Sequence, residues 1–66
     1  MDKARITSIL IKCRKDQINS SQKNVHNIHG WNVTYNVAGK VFVAEKGSHR
    51  VIRSNEAILA GVLASA

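Results

Sequence analysis

The chain has no proline, one cysteine, four glycines and four carboxylates among its 66 residues. Each shortage excludes something. With no proline and so little glycine there is no linker, internal repeat or low-complexity tail, so residues 1–66 are expected to form one small domain. A lone Cys13 cannot close an intramolecular disulfide, which points to the reducing cytoplasm. No apolar run approaches the roughly 18–20 residues that span a bilayer. The longest uncharged stretch, Ala57 to Ala66, stops far short of that. Nor is there a secretory leader pattern, because Asp2, Lys3 and Arg5 precede a brief apolar patch that ends at Lys12. The sequon Asn32-Val33-Thr34 therefore carries no weight as a glycosylation site.

Scarce carboxylates also argue against catalysis. Two of the four are expected near helix N-termini, and no pair has a spacing suited to general acid–base work. Ser48 and His49 are neighbours, so on a strand they point to opposite faces and cannot act as nucleophile and base. Gly39-Lys40 lacks the upstream glycine of a phosphate-binding loop. His26 and His29 have an H-x-x-H spacing, yet with only His49 and Cys13 elsewhere they make a poor zinc set. Cys13 falls on an apolar helix stripe, the place of a small core thiol rather than a nucleophile. The chain is expected to be no enzyme, to hold no metal or cofactor and to take no small-molecule substrate.

What the sequence does have is positive charge. Ten Lys and Arg against four Asp and Glu give +6, with a pI near 10.1. Hydrophobic residues make up 44% and charged residues 21%, which is globular rather than disordered composition. A chain this short buries only about 60% of its unfolded surface, so its core is small.

Residues 2–18 read as a helix. Ile6, Ile9, Leu10, Cys13 and Gln17 fall on one face at 3.6 residues per turn, and Asp2 is placed to cap the start. Residues 19–30 are polar without a clean period and read as a loop, or a loop holding a short strand around Val25 to Ile28. From Trp31 the period becomes two. Trp31, Val33, Tyr35 and Val37 alternate with Asn32, Thr34 and Asn36. A turn at Ala38-Gly39 returns the chain as a strand over 40–45, pairing Tyr35 with Phe42 and Val33 with Ala44. A second turn at Lys46-Gly47 leads to a third strand over 48–53. Ser54 or Asn55 then caps a C-terminal helix with Ile58, Leu59, Val62, Leu63 and Ala66 on its apolar side. The prediction is an α+β fold, α-β-β-β-α, with a three-stranded antiparallel sheet and two helices packed on one face.

Three features could carry function. Arg5, Lys12 and Lys15, in line with Ser8 and Asn19 and with Arg14 toward one flank, form a basic ridge on the first helix. Such a ridge suits a phosphate backbone, where each neutralised phosphate releases a counterion; it would equally serve as a solvated face. Arg50 and Arg53 on the third strand extend the basic set. The outer sheet face aligns Asn32, Thr34 and Asn36 with Val41, Val43, Glu45, Arg50 and Ile52. The exposed aliphatics Val41, Val43 and Ile52 suit a protein partner as well as base readout. The last helix has no charged side chain from Ala57 onward, and Gly61 in its interior suggests close backbone approach. A helix apolar or small all round is buried on more than one side, so a homodimer is expected, with Leu63 as a contact.

The order α-β-β-β-α with net basic charge resembles the double-stranded-RNA-binding domain. That resemblance implies a first helix in the minor groove and a second helix whose N-terminus meets phosphates. The small residues Ala57, Ala60, Gly61 and Ala64 match that family's second helix. The lysine pair at its start falls here at Ser54 and Asn55, with Arg50 and Arg53 only upstream. The β-β-β-α portion is also similar to the three-stranded DNA-binding module of some phage integrases. The leading expectation is a cytoplasmic regulator that contacts duplex nucleic acid through Arg5, Lys12, Lys15, Arg50 and Arg53. The alternative is a protein-binding inhibitor or adaptor, such as a phage-type modulator of a host protein, docking through Val41, Val43 and Ile52. A structural subunit inserting its apolar last helix into a larger assembly is the third.

Overall fold

Helix α1 (Lys3–Ile18) begins where Asp2, in extended conformation, accepts the Arg5 N–H on its carboxylate at 2.7 Å. The computed structural model describes residues 2–65. Ile6, Leu10 and Cys13, spaced i, i+4 and i+7, are the buried stripe of α1, as the periodicity predicts. The helix ends at Asn19, whose N–H still reaches the Lys15 carbonyl at 3.1 Å.

The sheet has four strands rather than three: β1 (His26–Ile28), β2 (Trp31–Asn36), β3 (Val41–Lys46) and β4 (His49–Arg53), in the order β1-β2-β3-β4. All neighbours are antiparallel. The additional strand is β1, joined to β2 by the two-residue turn His29-Gly30. Both turn residues have positive φ, +52° and +81°, the type I′ requirement that matches the twist of a hairpin. The fold therefore departs by one strand from the α-β-β-β-α order of the double-stranded-RNA-binding domain.

Between β2 and β3 the predicted register holds. Tyr35 lies opposite Phe42, and Val33 opposite Ala44. The connection is wider than a two-residue turn. Pairing stops at Asn36 and Val41, and residues 37–40 form a four-residue loop in which Lys40 takes φ +56°. Asn36 fastens that loop by accepting the Gly39 N–H on its side-chain oxygen at 2.9 Å. The third hairpin closes at Lys46 and His49, so its turn is Gly47-Ser48, one residue later than the sequence pattern suggests. Only its first residue, Gly47 at φ +60°, is left-handed, as in a type II′ turn.

Every buried side chain of the sheet belongs to one face: Ile28, Trp31, Val33, Phe42 and Ala44, with Tyr35 and Val51 half-buried beside them. These join Ile6, Leu10 and Cys13 of α1 in a single core. Helix α2 (Glu56–Ser65) adds Leu59, Ala60 and Leu63. Asn55 caps α2 by accepting the Ile58 N–H at 3.1 Å. Arg14 and Glu56 form an ion pair between the helices. It sets the start of α2 beside the C-terminal half of α1.

The inward stripe of α2 is rotated from the predicted one. Residues 56, 59, 60 and 63 face in, because the small Ala60 lets α2 approach the core, while Ile58 turns outward at 58% exposure. Ala66, also read as apolar-side, lies outside the described residues. Leu63 is wholly buried within its own chain, so it is a core residue and presents nothing to a partner. Gly61 also has space around it. A Cβ placed there would meet only the Lys3 Cε, at 3.9 Å, an ordinary contact. Close approach of backbone within the chain does not require this glycine. Gly61→Ala is therefore expected to stabilise the protein by about 0.5–1 kcal/mol through helix propensity, measured as a rise in the urea midpoint. A fall in midpoint that depends on protein concentration would instead reveal a second copy packed on this spot.

Candidate nucleic-acid interface

Of the ten Lys and Arg side chains, all but Arg14 are exposed. Among the described residues the one ion pair is Arg14–Glu56. Arg14 is thereby tied to α2 and drops out of the predicted ridge. The remaining carboxylates neutralise little. Asp2 is spent on the α1 cap. Glu45 lies opposite Arg50 in register without closing an ion pair. Arg5, Ser8, Lys12, Lys15 and Asn19 are all exposed on one side of α1, with Asp16 half-buried at its flank.

The other predicted residues do not join that ridge. On the sheet face that buries nothing, the register lines up Asn27, Asn32, Glu45 and Arg50 in one cross-strand row. The next rows are Thr34-Val43-Ile52 and Asn36-Val41. The Asn27 amide donates to the Asn32 side-chain oxygen at 3.2 Å. Val41 and Val43 are half-buried and Ile52 is 47% exposed, so the aliphatic strip does stand on the surface. Arg53 has the opposite parity, paired with Phe42, and its guanidinium turns back to donate to the Ile52 carbonyl at 2.8 Å. The five predicted cations thus occupy three places: the side of α1, the open sheet face for Arg50, and the end of β4 for Arg53.

A groove of about 480 Å³ lies beside the open face, lined by Ser21, Lys23, Thr34, Tyr35, Asn36 and Arg50 among others. Its origin is the brevity of β1, which pairs with β2 only as far as Val33. Beyond it, β2 has a bare edge. The alternation of hydrogen bonding in an antiparallel hairpin turns the N–H and C=O of Tyr35 toward that edge. The segment after α1 stands off because Gln17 grips it. Its Nε2 donates to the Gln22 carbonyl at 2.9 Å, and its Oε1 accepts the Asn24 N–H at 2.8 Å. Ser21 and Lys23 escaped sequence reasoning because their segment has no period. The available signal was Gln17, a polar residue at the end of an apolar stripe.

The other titratable groups lie apart. Among the described residues no three of His, Cys, Asp and Glu come together as a metal site. Cys13 is wholly buried, and burial, helped by the nearby Asp16 carboxylate, pushes its thiol up to about 11 from an ordinary 9.0. The thiol ionises more readily in the unfolded chain, so the native state is favoured below the unfolded value. That advantage is lost as pH rises from about 9 toward 11. A two-unit gap is worth up to about 2–3 kcal/mol. Urea stability of the wild type is expected to fall faster over this window than that of Cys13→Ala. Parallel curves would show that the thiol titrates as it does in solvent.

No family model, curated protein or solved structure matches this chain.

Proposed function

We propose that this chain is a small, non-enzymatic binding protein that holds backbone phosphates of duplex nucleic acid along the exposed side of α1. The observation that carries the reading is the absence of counter-charge. Arg5, Lys12 and Lys15 are exposed with no carboxylate in ion-pair reach among the described residues, within a chain of net charge +6. Arg5 to Lys15 spans roughly 15 Å at 1.5 Å per residue, about the length of four or five base steps. We infer further that both helices cover the same sheet face, since α1, α2 and one sheet face share the core. The side of α1 and the open sheet face are then separate surfaces, and α1 carries the denser charge. Arg50 and Lys23 flank the groove on the other surface as secondary phosphate contacts. The protein acts in the cytoplasm as a homodimer, a reading supported by the exposed Ala57 and Ile58 of α2.

A second reading has its own support. The uncovered strip of Val41, Val43 and Ile52 suits an inhibitor or adaptor docking on a protein.

Anisotropy of labelled double-stranded RNA, double-stranded DNA and single-stranded DNA, titrated at two salt concentrations, separates the readings. Phosphate binding gives micromolar or tighter affinity for a duplex, falling steeply with salt. No binding at low salt would overturn it and leave the sheet strip as the leading surface, to be tested with Val43→Asp in pull-downs.

A further inference from the structure

A cavity of about 400 Å³ lies away from the α1 ridge, lined by Trp31, Lys46, His49 and Val62. Lys46 and His49 are register partners at the closing pair of the last hairpin, so their side chains rise on the same sheet face as Trp31. The Lys46 ammonium sits 5.9 Å from the centre of the Trp31 ring. It also lies close over the Gly30 turn, 3.5 Å from where a Cβ would be. No carboxylate is within ion-pair distance of the Lys46 ammonium or the His49 ring among the described residues. The indole is 5% exposed, and its Nε1–H is buried without an acceptor. A buried donor left unpaired costs about 1–3 kcal/mol, which is an uncommon defect to keep in a core this small.

We propose that this cavity binds a small carboxylic acid with a hydrocarbon body. Trp31 and Val62 form an apolar wall that a bare phosphate or sulfate would leave empty. Lys46 and His49 at the mouth supply donors for an anionic head. A carboxylate drawn in against the ring would give the unpaired indole N–H its acceptor. Hydrocarbon in the cavity and carboxylate at the mouth answer both halves of the lining at once. The site uses none of the α1 cations, so it stands or falls independently of phosphate binding.

Trp31 is the only tryptophan, so its emission reports the site directly. The full chain would be titrated with octanoate and with 3-phenylpropanoate, and with octanol as the uncharged counterpart. A saturable change in Trp31 emission is expected with at least one of the two acids, and octanol should bind at least about tenfold more weakly, the worth of a charge-assisted hydrogen bond. Lys46→Gln should weaken the acid by a similar factor. Lys40→Gln makes the same change of net charge in the exposed β2–β3 loop and should leave the affinity as it was. Absence of a saturable change with both acids would overturn the proposal. So would octanol binding as tightly as the acids, or Lys46→Gln and Lys40→Gln behaving alike.

Discussion

Phe42→Ala is expected to leave much of the population unfolded at 25 °C. Phe42 is wholly buried in β3, an interior strand, and its ring meets Tyr35 at 4.8 Å with the planes tilted by 59°. Truncating a buried Phe costs about 3–5 kcal/mol, from lost transfer energy plus the cavity left behind. At roughly 0.05–0.15 kcal/mol per residue, a chain of this length has only about 3–10 kcal/mol in all. Among the described residues no second hydrophobic layer exists to absorb the loss, because the other face of β3 holds the half-buried Val41 and Val43 and the exposed Glu45. Far-UV circular dichroism and urea titration would show a lost or truncated transition. Ile52→Ala, on that other face, should cost less than about 1 kcal/mol, as surface substitutions generally do. A Phe42→Ala midpoint near that of the wild type would mean that the core is placed wrongly. By the same reasoning Leu63→Asp would put a carboxylate into the core and unfold the chain rather than test a dimer contact.

The second large effect concerns binding. Lys12→Glu with Lys15→Glu lowers the net charge from +6 to +2 while touching only exposed positions of α1. Each reversal deletes a phosphate contact and sets a carboxylate against the backbone. Duplex affinity should fall by at least about a hundredfold, and the slope of log affinity against log salt should shrink by about 2. Lys40→Glu with Lys46→Glu makes an identical charge change away from the ridge and from the groove. It should cost clearly less, which separates a placed contact from the field of the whole molecule. Unchanged melting of both double variants would establish that folding is not at issue. Binding by Lys12→Glu/Lys15→Glu within about threefold of the wild type would end the assignment to α1.

Much of the fold is legible in the chain because each element follows a period. The stripe through Ile6, Leu10 and Cys13 yields α1, and the alternation from Trp31 yields β2 with the right register to β3. What escaped is local chemistry that period does not encode. β1, anticipated only as one alternative around Val25 to Ile28, is three residues long, too short to show alternation, and its turn uses His29 where an asparagine or aspartate is the usual signal. The four-residue loop after β2 depends on Asn36 holding the Gly39 N–H, which outweighs the simple pattern of a two-residue turn. α2 is apolar nearly all round, so composition leaves its rotation undetermined, and contact with α1 and the sheet settles that Leu59, Ala60 and Leu63 face inward. The basic residues were individually plain, but which of them share a surface depends on strand parity, and that parity places Arg50 and Arg53 on opposite faces.

β4 closes one side of the sheet, with no neighbour beyond it among the described residues. Along its outer edge the backbone groups of Arg50 and the Ile52 N–H face outward, while the Ile52 carbonyl is taken by the Arg53 guanidinium, leaving a partial template for a strand from another molecule. Arg50 and Arg53 crowd this edge with positive charge, so two copies approaching edge to edge repel each other. That protection is electrostatic and weakens as the screening length falls to about 10 Å at 0.1 M salt and about 3 Å at 1 M. Lateral sheet growth and the proposed phosphate binding are therefore expected to respond to salt with opposite signs. Salt strong enough to release a duplex held as proposed is the condition in which β4 is least guarded against aggregation.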